Sequence, residues 1–139
     1  MQVWDVNNNK APKWTARNLP NDELDLKIPV WDTDLAFLSR SNSHSLVACT
    51  AYSEIREYDT RGPRKPVIAA ELFGTKEGRD RYQIGSQFLS RVLQSRQNEN
   101  HIYAVTHEGH PLVLDRRQGY KVVKKMPGAK GSVRDAILA

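Results

Sequence analysis

A 56-residue internal repeat constrains this chain more than any other feature of it. Sliding the sequence by 56 positions sets Ser39-Arg40 on Ser95-Arg96, Ala48 on Ala104, Thr50 on Thr106 and Asp59 on Asp115. Between these marks Leu46, Val47 and Cys49 fall on Ile102, Tyr103 and Val105, so apolar character is kept. Each unit ends in an apolar residue plus Asp, followed by a basic turn. These ends are Tyr58-Asp59-Thr60-Arg61-Gly62 and Leu114-Asp115-Arg116-Arg117-Gln118-Gly119. Trp4-Asp5 is a third copy of the dipeptide, 54 residues before Asp59. A period of this size signals stacked supersecondary units.

Helical periodicity is absent over any stretch of about 11 residues or more. Short β-branched and aromatic runs recur instead, split by Gly, Pro, Asn and Ser. They predict strands at 2–6, 13–17, 34–38, 45–51, 54–59, 66–72, 87–93, 101–107, 111–115, 120–124 and 132–138. Four strands per repeat, the third ending in a Trp-Asp-like pair, is the pattern of a propeller blade. The expected fold is all-β: a partial WD40-type β-propeller of two complete four-stranded blades plus flanking strands. Residues 1–30 would end one blade and link to the next, 31–73 form a blade, 74–86 a long loop and 87–126 a second blade. Residues 127–139 would supply the first strand of another. The units exceed the usual WD repeat of about 40–45 residues, mainly through the segment 74–85. Two blades do not close a ring, so the chain reads as a slice of a longer protein. A single closed β-barrel is the alternative.

Composition narrows the function classes. The 139 residues hold one cysteine, Cys49, which excludes an internal disulfide framework and a multi-Cys zinc site. The longest apolar runs are too short to span a bilayer, and the N-terminus has no basic-then-apolar leader pattern. Net charge is +5. Residues 1–40 carry five bases and six acids, so the surplus lies beyond them and suggests an anionic partner.

Several segments carry a resemblance: Trp14-Thr15-Ala16-Arg17-Asn18, the run Leu24-Asp25-Leu26-Lys27-Ile28-Pro29-Val30-Trp31-Asp32-Thr33-Asp34, and the run Thr50-Ala51-Tyr52-Ser53-Glu54-Ile55-Arg56-Glu57-Tyr58-Asp59-Thr60-Arg61. Arg64-Lys65-Pro66-Val67, Leu114-Asp115-Arg116-Arg117 and Gly131-Ser132-Val133-Arg134-Asp135 extend it. Together they resemble the WD repeat-containing protein 74 family, WD-repeat assembly factors of the large ribosomal subunit. The chain would match a middle section of the family's seven-bladed propeller, a domain of roughly 390 residues at this blade length. The resemblance implies a nucleolar, non-enzymatic scaffold in pre-60S assembly and rRNA processing. It implies a pre-ribosomal particle as partner, with assembly factors and rRNA, and an AAA-type ATPase. The charged segment 74–87 and the absent outer blades and basic tail depart from the family's pattern.

Chemistry-bearing residues point the same way. His107-Glu108-Gly109-His110 is the only close histidine pair, and it reads as a hairpin turn rather than a zincin site. A metal hydrolase built on it is a rival reading. Asp59 and Asp115 suit strand-end hydrogen bonding, and Cys49 a small core position. Gly128-Ala129-Lys130-Gly131-Ser132 lacks the ending and following helix of a phosphate loop. Trp4, Trp14 and Trp31 are expected to pack between blades, with an exposed base-stacking platform as the alternative. Arg56 and Arg134 sit within strand patterns and suit structural ion pairs. No cofactor, metal, membrane or small-molecule substrate is expected.

Loops after the first and third strands of a blade emerge on one face. They hold Arg40, Arg61, Arg64, Lys65, Arg96, Arg116 and Arg117, with Glu99 the one acid clearly among them. Such an array could track an RNA backbone or an acidic protein. A merely solvated basic face, a stand-alone nucleic-acid-binding barrel and a generic WD-repeat protein-interaction module are the alternatives.

Overall fold

The computed structural model describes residues 1–8, 10–38, 43–73, 88–128 and 131–137. Among the described residues ten strands form three antiparallel sheets. A two-stranded ribbon pairs β1 (Gln2–Val3) with β2 (Trp14–Thr15). The second sheet is a meander of β3 (Asp32–Leu38), β4 (Ser45–Thr50), β5 (Glu54–Asp59) and β6 (Ile68–Glu71). The third repeats it with β7 (Leu89–Gln94), β8 (His101–Thr106), β9 (Pro111–Asp115) and β10 (Lys121–Lys125). These are two four-stranded propeller blades, and the β1–β2 ribbon stands where the outer half of a preceding blade belongs.

Packing explains why β4 and β5 are buried on both faces although β5 reads Glu-Ile-Arg-Glu-Tyr-Asp. One face of the first blade offers Leu38, Val47, Cys49 and Ile55 to Leu89, Ile102, Leu112 and Leu114 of the second. Its other face sets Leu46, Ala48 and Tyr58 against Trp14. The Trp14 and Tyr58 rings meet edge to face, centroids 5.6 Å apart. Each large aliphatic side chain buried here contributes about 1.5–3 kcal/mol. Leu114→Ala in the inter-blade layer would cost about 2–5 kcal/mol. The charged residues of β5 survive burial because Arg56 lies 2.7 Å from Glu54 and its Nη1 donates to Asn18. Arg56 is thus the structural ion pair its strand pattern implies.

The repeat holds at the level of single hydrogen bonds. Ser53 N donates to Thr50 O and Gly109 N to Thr106 O, closing the two β-hairpin turns. Glu54 N and His110 N both reach the hydroxyl of the threonine four residues earlier. Gly109 (φ 90°) and Ser53 (φ 62°) share the left-handed conformation, which glycine adopts more cheaply. After the third strands, Asp59 Oδ1 accepts from Arg61 N and Asp115 Oδ1 from Arg117 N, each at 2.9 Å. Asp5 Oδ1 accepts from Asn7 N at the same distance, so all three aspartates of the repeated dipeptide close one kind of turn.

Two expectations change. The first strands align by 57 positions, not 56: Asp32 opposes Thr50 as Leu89 opposes Thr106, and Leu38 rather than Ser39 corresponds to Ser95. Ser39 and Arg40 themselves lie outside the described residues. Residues 131–137 form no strand, so the expected first strand of a further blade is not seen there. A strand needs a ladder partner. Among the described residues Val133 N donates to His107 O, Ser132 Oγ meets His107 Nδ1 and Asp135 pairs with Arg91 at 3.0 Å, but no ladder forms. Arg134 accordingly lies exposed outside any strand. The long loop at 74–86 lies outside the described residues.

Candidate nucleic-acid interface

Strand direction decides which loops share an end. Thr33 Oγ1 donates to Leu89 O at 2.7 Å and, further along both strands, Asp34 Oδ2 accepts from Val92 N at 3.0 Å, so β3 and β7 start side by side and run the same way. Their meanders then send β3–β4, β5–β6, β7–β8 and β9–β10 to one end. Local bonds tie these loops together: Thr60 N donates to His44 O, and Arg116 N to Asn100 O. A cleft of about 500 Å³ at this end runs between the β1–β2 loop and the first blade, lined by Trp4, Lys13, Phe37, His44, Thr60 and Arg61.

The basic residues of these loops fall into three groups. Arg61 and Arg117 are held in matching forks by the aspartate two residues earlier. Arg61 Nε and Nη2 lie 3.1 and 2.9 Å from Asp59, whereas Arg117 reaches Asp115 more loosely, at 3.5 and 3.4 Å. The Arg61 hydrogen bond pulls the Asp59 carboxyl down to about 2. Arg116 belongs to the joint between blades. Its Nε donates to both Glu57 carboxylate oxygens at 3.1 Å, and its Nη2 and the Tyr120 hydroxyl bind the same carboxylate. Burial, then the Glu57 hydrogen bond, pushes the Tyr120 phenol well above its ordinary range. Arg64, Lys65 and Arg96 are exposed and form no ion pair among the described residues. Arg40 lies outside the described residues.

The aromatic residues divide. Trp14 is buried between ribbon and blade, as expected. Trp4 and Trp31 are 48% and 53% exposed, which corrects the expectation that all three pack between blades. Trp4 follows the two-residue β1 and lines the ribbon–blade cleft beside Phe37, and Trp31 precedes β3, so both indoles keep about half their surface open. His107 forms part of the β8–β9 turn, stacks on Phe88 at 4.3 Å and contacts Ser132 Oγ through Nδ1. Cys49 is buried, and burial pushes its thiol up to about 11. Among the described residues no three of His, Cys, Asp and Glu are grouped so as to hold a metal ion.

Sequence reading missed Glu57, Tyr120 and the structural use of Arg116. Glu57 and Arg116 are 59 residues apart and not repeat-equivalent, so no local pattern links them.

No protein-family model matches the chain. WD repeat-containing protein 74 of Bos taurus is 36% identical to it over 135 residues, 96% of this chain and 31% of that protein. The chain resembles WD repeat-containing protein 74. The Homo sapiens protein of that name is 33% identical over the same share of each chain. Ribosome biogenesis protein NSA1 of Saccharomyces cerevisiae is 30% identical over 90 residues, 59% of this chain and 19% of that one. The chain thus spans about a third of the length of the WD repeat-containing protein 74 relatives it matches. Among solved structures, a chain of the COPII outer-coat vertex on membranes covers 88% of this chain and 30% of its own length. Its TM-score is 0.52 at 21% identity, a likeness of fold alone.

Proposed function

We propose that the chain is a non-enzymatic binding module of large-subunit ribosome assembly and rRNA processing, engaging pre-60S particles through the basic loop end of its blades. One observation carries the surface: Arg64, Lys65 and Arg96 stand exposed, without ion pairs among the described residues, on two neighbouring blades. Arg61 and Arg117 flank them, oriented by their aspartates yet largely solvent-facing. An Arg fork fits phosphate bidentately, and a phosphate can compete for such a guanidinium. Arg40 belongs to the same proposal by its sequence position. Arg116 contributes by fixing the β9–β10 loop against Glu57.

The resemblance to WD repeat-containing protein 74 and to ribosome biogenesis protein NSA1 supports the assembly role. A nuclear and nucleolar address and an AAA-type ATPase partner rest on that resemblance alone.

The test is binding to a structured ribosomal RNA fragment across a salt series. Each phosphate contact adds about 0.9 to the slope of log affinity against log salt on a duplex. Combined Arg64→Glu, Lys65→Glu and Arg96→Glu should weaken binding and lower that slope by roughly 2–3. Binding that ignores both the salt and the substitutions would refute the RNA reading.

A further inference from the structure

The opposite end of the blades has a different chemistry. Residues 24–31 link β2 to β3 and carry four exposed apolar side chains: Leu24 at 79%, Leu26 at 59%, Val30 and Trp31. Their exposure does not come from lack of structure. Asp22 Oδ1 accepts from Leu24 N at 3.0 Å and from Leu26 N at 2.8 Å, and Asp22 N donates to Leu26 O. Asn21 Nδ2 binds Asp25 Oδ1 at 2.9 Å. The returning strand is pinned where Asn18 Nδ2 donates to Ile28 O at 2.6 Å, with the Ile28 side chain buried. The loop therefore has its own anchor in Ile28 and turns its two leucines outward.

The second blade shows what covering looks like. Ala51 N donates to Trp31 O as His107 N donates to Phe88 O, so Trp31 and Phe88 are counterparts. The His107 imidazole stacks on Phe88. Ala51 offers Trp31 no such ring, and the indole stays half exposed. Leu26 and Trp31 are five residues apart, within about 18 Å even if fully extended, so one partner segment can touch both.

Charge selects the partner. Asp22, Glu23 and Asp25 flank the leucines in the chain, against Lys27, while Arg17 stands at the Val30 end of the segment. Phosphates would be repelled there, whereas lysine or arginine would be attracted. We infer that the Leu24–Trp31 surface docks a protein segment that combines basic residues with bulky apolar ones, on the end of the molecule away from the arginine loops. Leucine anchors with an acidic rim match the amphipathic-segment mode of peptide recognition.

The experiment titrates the chain into a fluorescein-labelled amphipathic peptide of leucine and lysine, about 18 residues long. The comparison probes are the same peptide with glutamate for lysine and an oligouridylate of equal length. The leucine-lysine peptide should bind. Leu24→Ser with Leu26→Ser should weaken it at least about tenfold through lost apolar burial. Glu23→Lys should weaken it about threefold. Val6→Ser, at a residue 95% exposed on the other end, should change nothing. In a Trp4→Phe background, the peptide should shield Trp31 from acrylamide. Leu24→Ser alone alters only an exposed side chain, so it tests the same sign with the fold intact. Equal binding of the glutamate peptide, oligouridylate competing for the loop, or indifference to the leucine substitutions would overturn the inference. So would an absence of binding. The RNA-face triple reversal should leave peptide binding intact, so failure of one proposal is separable from failure of the other.

Discussion

Removing Glu57 tests whether the two blades are locked by charge as well as by apolar packing. Glu57→Ala deletes the carboxylate that receives Arg116 and Tyr120. Tyr120 is almost fully buried, so its hydroxyl would be left without that acceptor, at about 1–3 kcal/mol. The Arg116 side chain is 32% exposed and can recover water, so its loss lies below the 3–5 kcal/mol typical of breaking a fully buried pair, at about 1–2 kcal/mol. The sum is about 3 kcal/mol. With a urea slope of about 2 kcal/mol per molar, the unfolding midpoint should fall by about 1.5 M. Tyr120→Phe supplies the check: with no hydroxyl left to strand, the double variant should be about 1–2 kcal/mol more stable than the two single losses predict. A Glu57→Ala cost under about 1 kcal/mol would show that apolar contacts alone hold the blades together, and strict additivity with Tyr120→Phe would remove Tyr120 from the lock.

Three further outcomes follow from particular residues. Asp59 is held down to about 2 by Arg61, below its ordinary 3.8. Its contribution is therefore complete above about pH 4 and is lost as pH falls toward 2, and Asp59→Asn should flatten that part of an acid-unfolding profile. Cys49 is buried with its thiol pushed up to about 11, so Ellman's reagent at pH 8 should label it only at the rate of unfolding. A Cβ at Gly128 would lie 2.0 Å from Gly109 O, so Gly128→Ala must move backbone. Hydrogen exchange at Val133 N–H, which is bonded to His107 O, should then accelerate.

Much of the fold was legible because the local and repeated signals agree. β5 and β9 match their predicted bounds, each flanked by turn residues; β9 carries a continuous apolar run and β5 the β-favouring Ile55 and Tyr58. The paired hairpins and aspartate turns follow from Thr50 and Thr106, and from Asp59 and Asp115. What escaped was set by tertiary context. The register shifts at Asp32/Asp34 and Leu89/Arg91 carry Thr33 and Ser90, whose hydroxyls bond Cys49 O and Val105 O. These strands align at an offset one residue larger than the rest, which a single slide of the sequence cannot reveal. Residues 132–138 have strand-like composition, but β-propensity acts only through a partner, and the described part of the segment finds none. Among the basic residues, charge and loop position gathered the candidates at one end of the blades, the end to which the strand order also sends their loops. They could not separate Arg116, bound to Glu57, from Arg64, Lys65 and Arg96.

The differences between the blades say more about use than their similarities. Where backbone bonds repeat, the side chains at equivalent positions diverge. Glu57 corresponds to Val113, and Arg116 to Thr60, so among the described residues the carboxylate–guanidinium lock stands at the joint between these two blades without a repeat-equivalent copy. Ala51 corresponds to His107, so one aromatic at the start of a blade is capped and the other is bare. A scaffold that repeats its backbone can assign joints and docking surfaces through such single substitutions, because the turns beneath them are already fixed. Exchanging the pair, with Ala51→His and His107→Ala, should then move the bare aromatic from Trp31 to Phe88 while both hairpins keep their Thr50 and Thr106 closures.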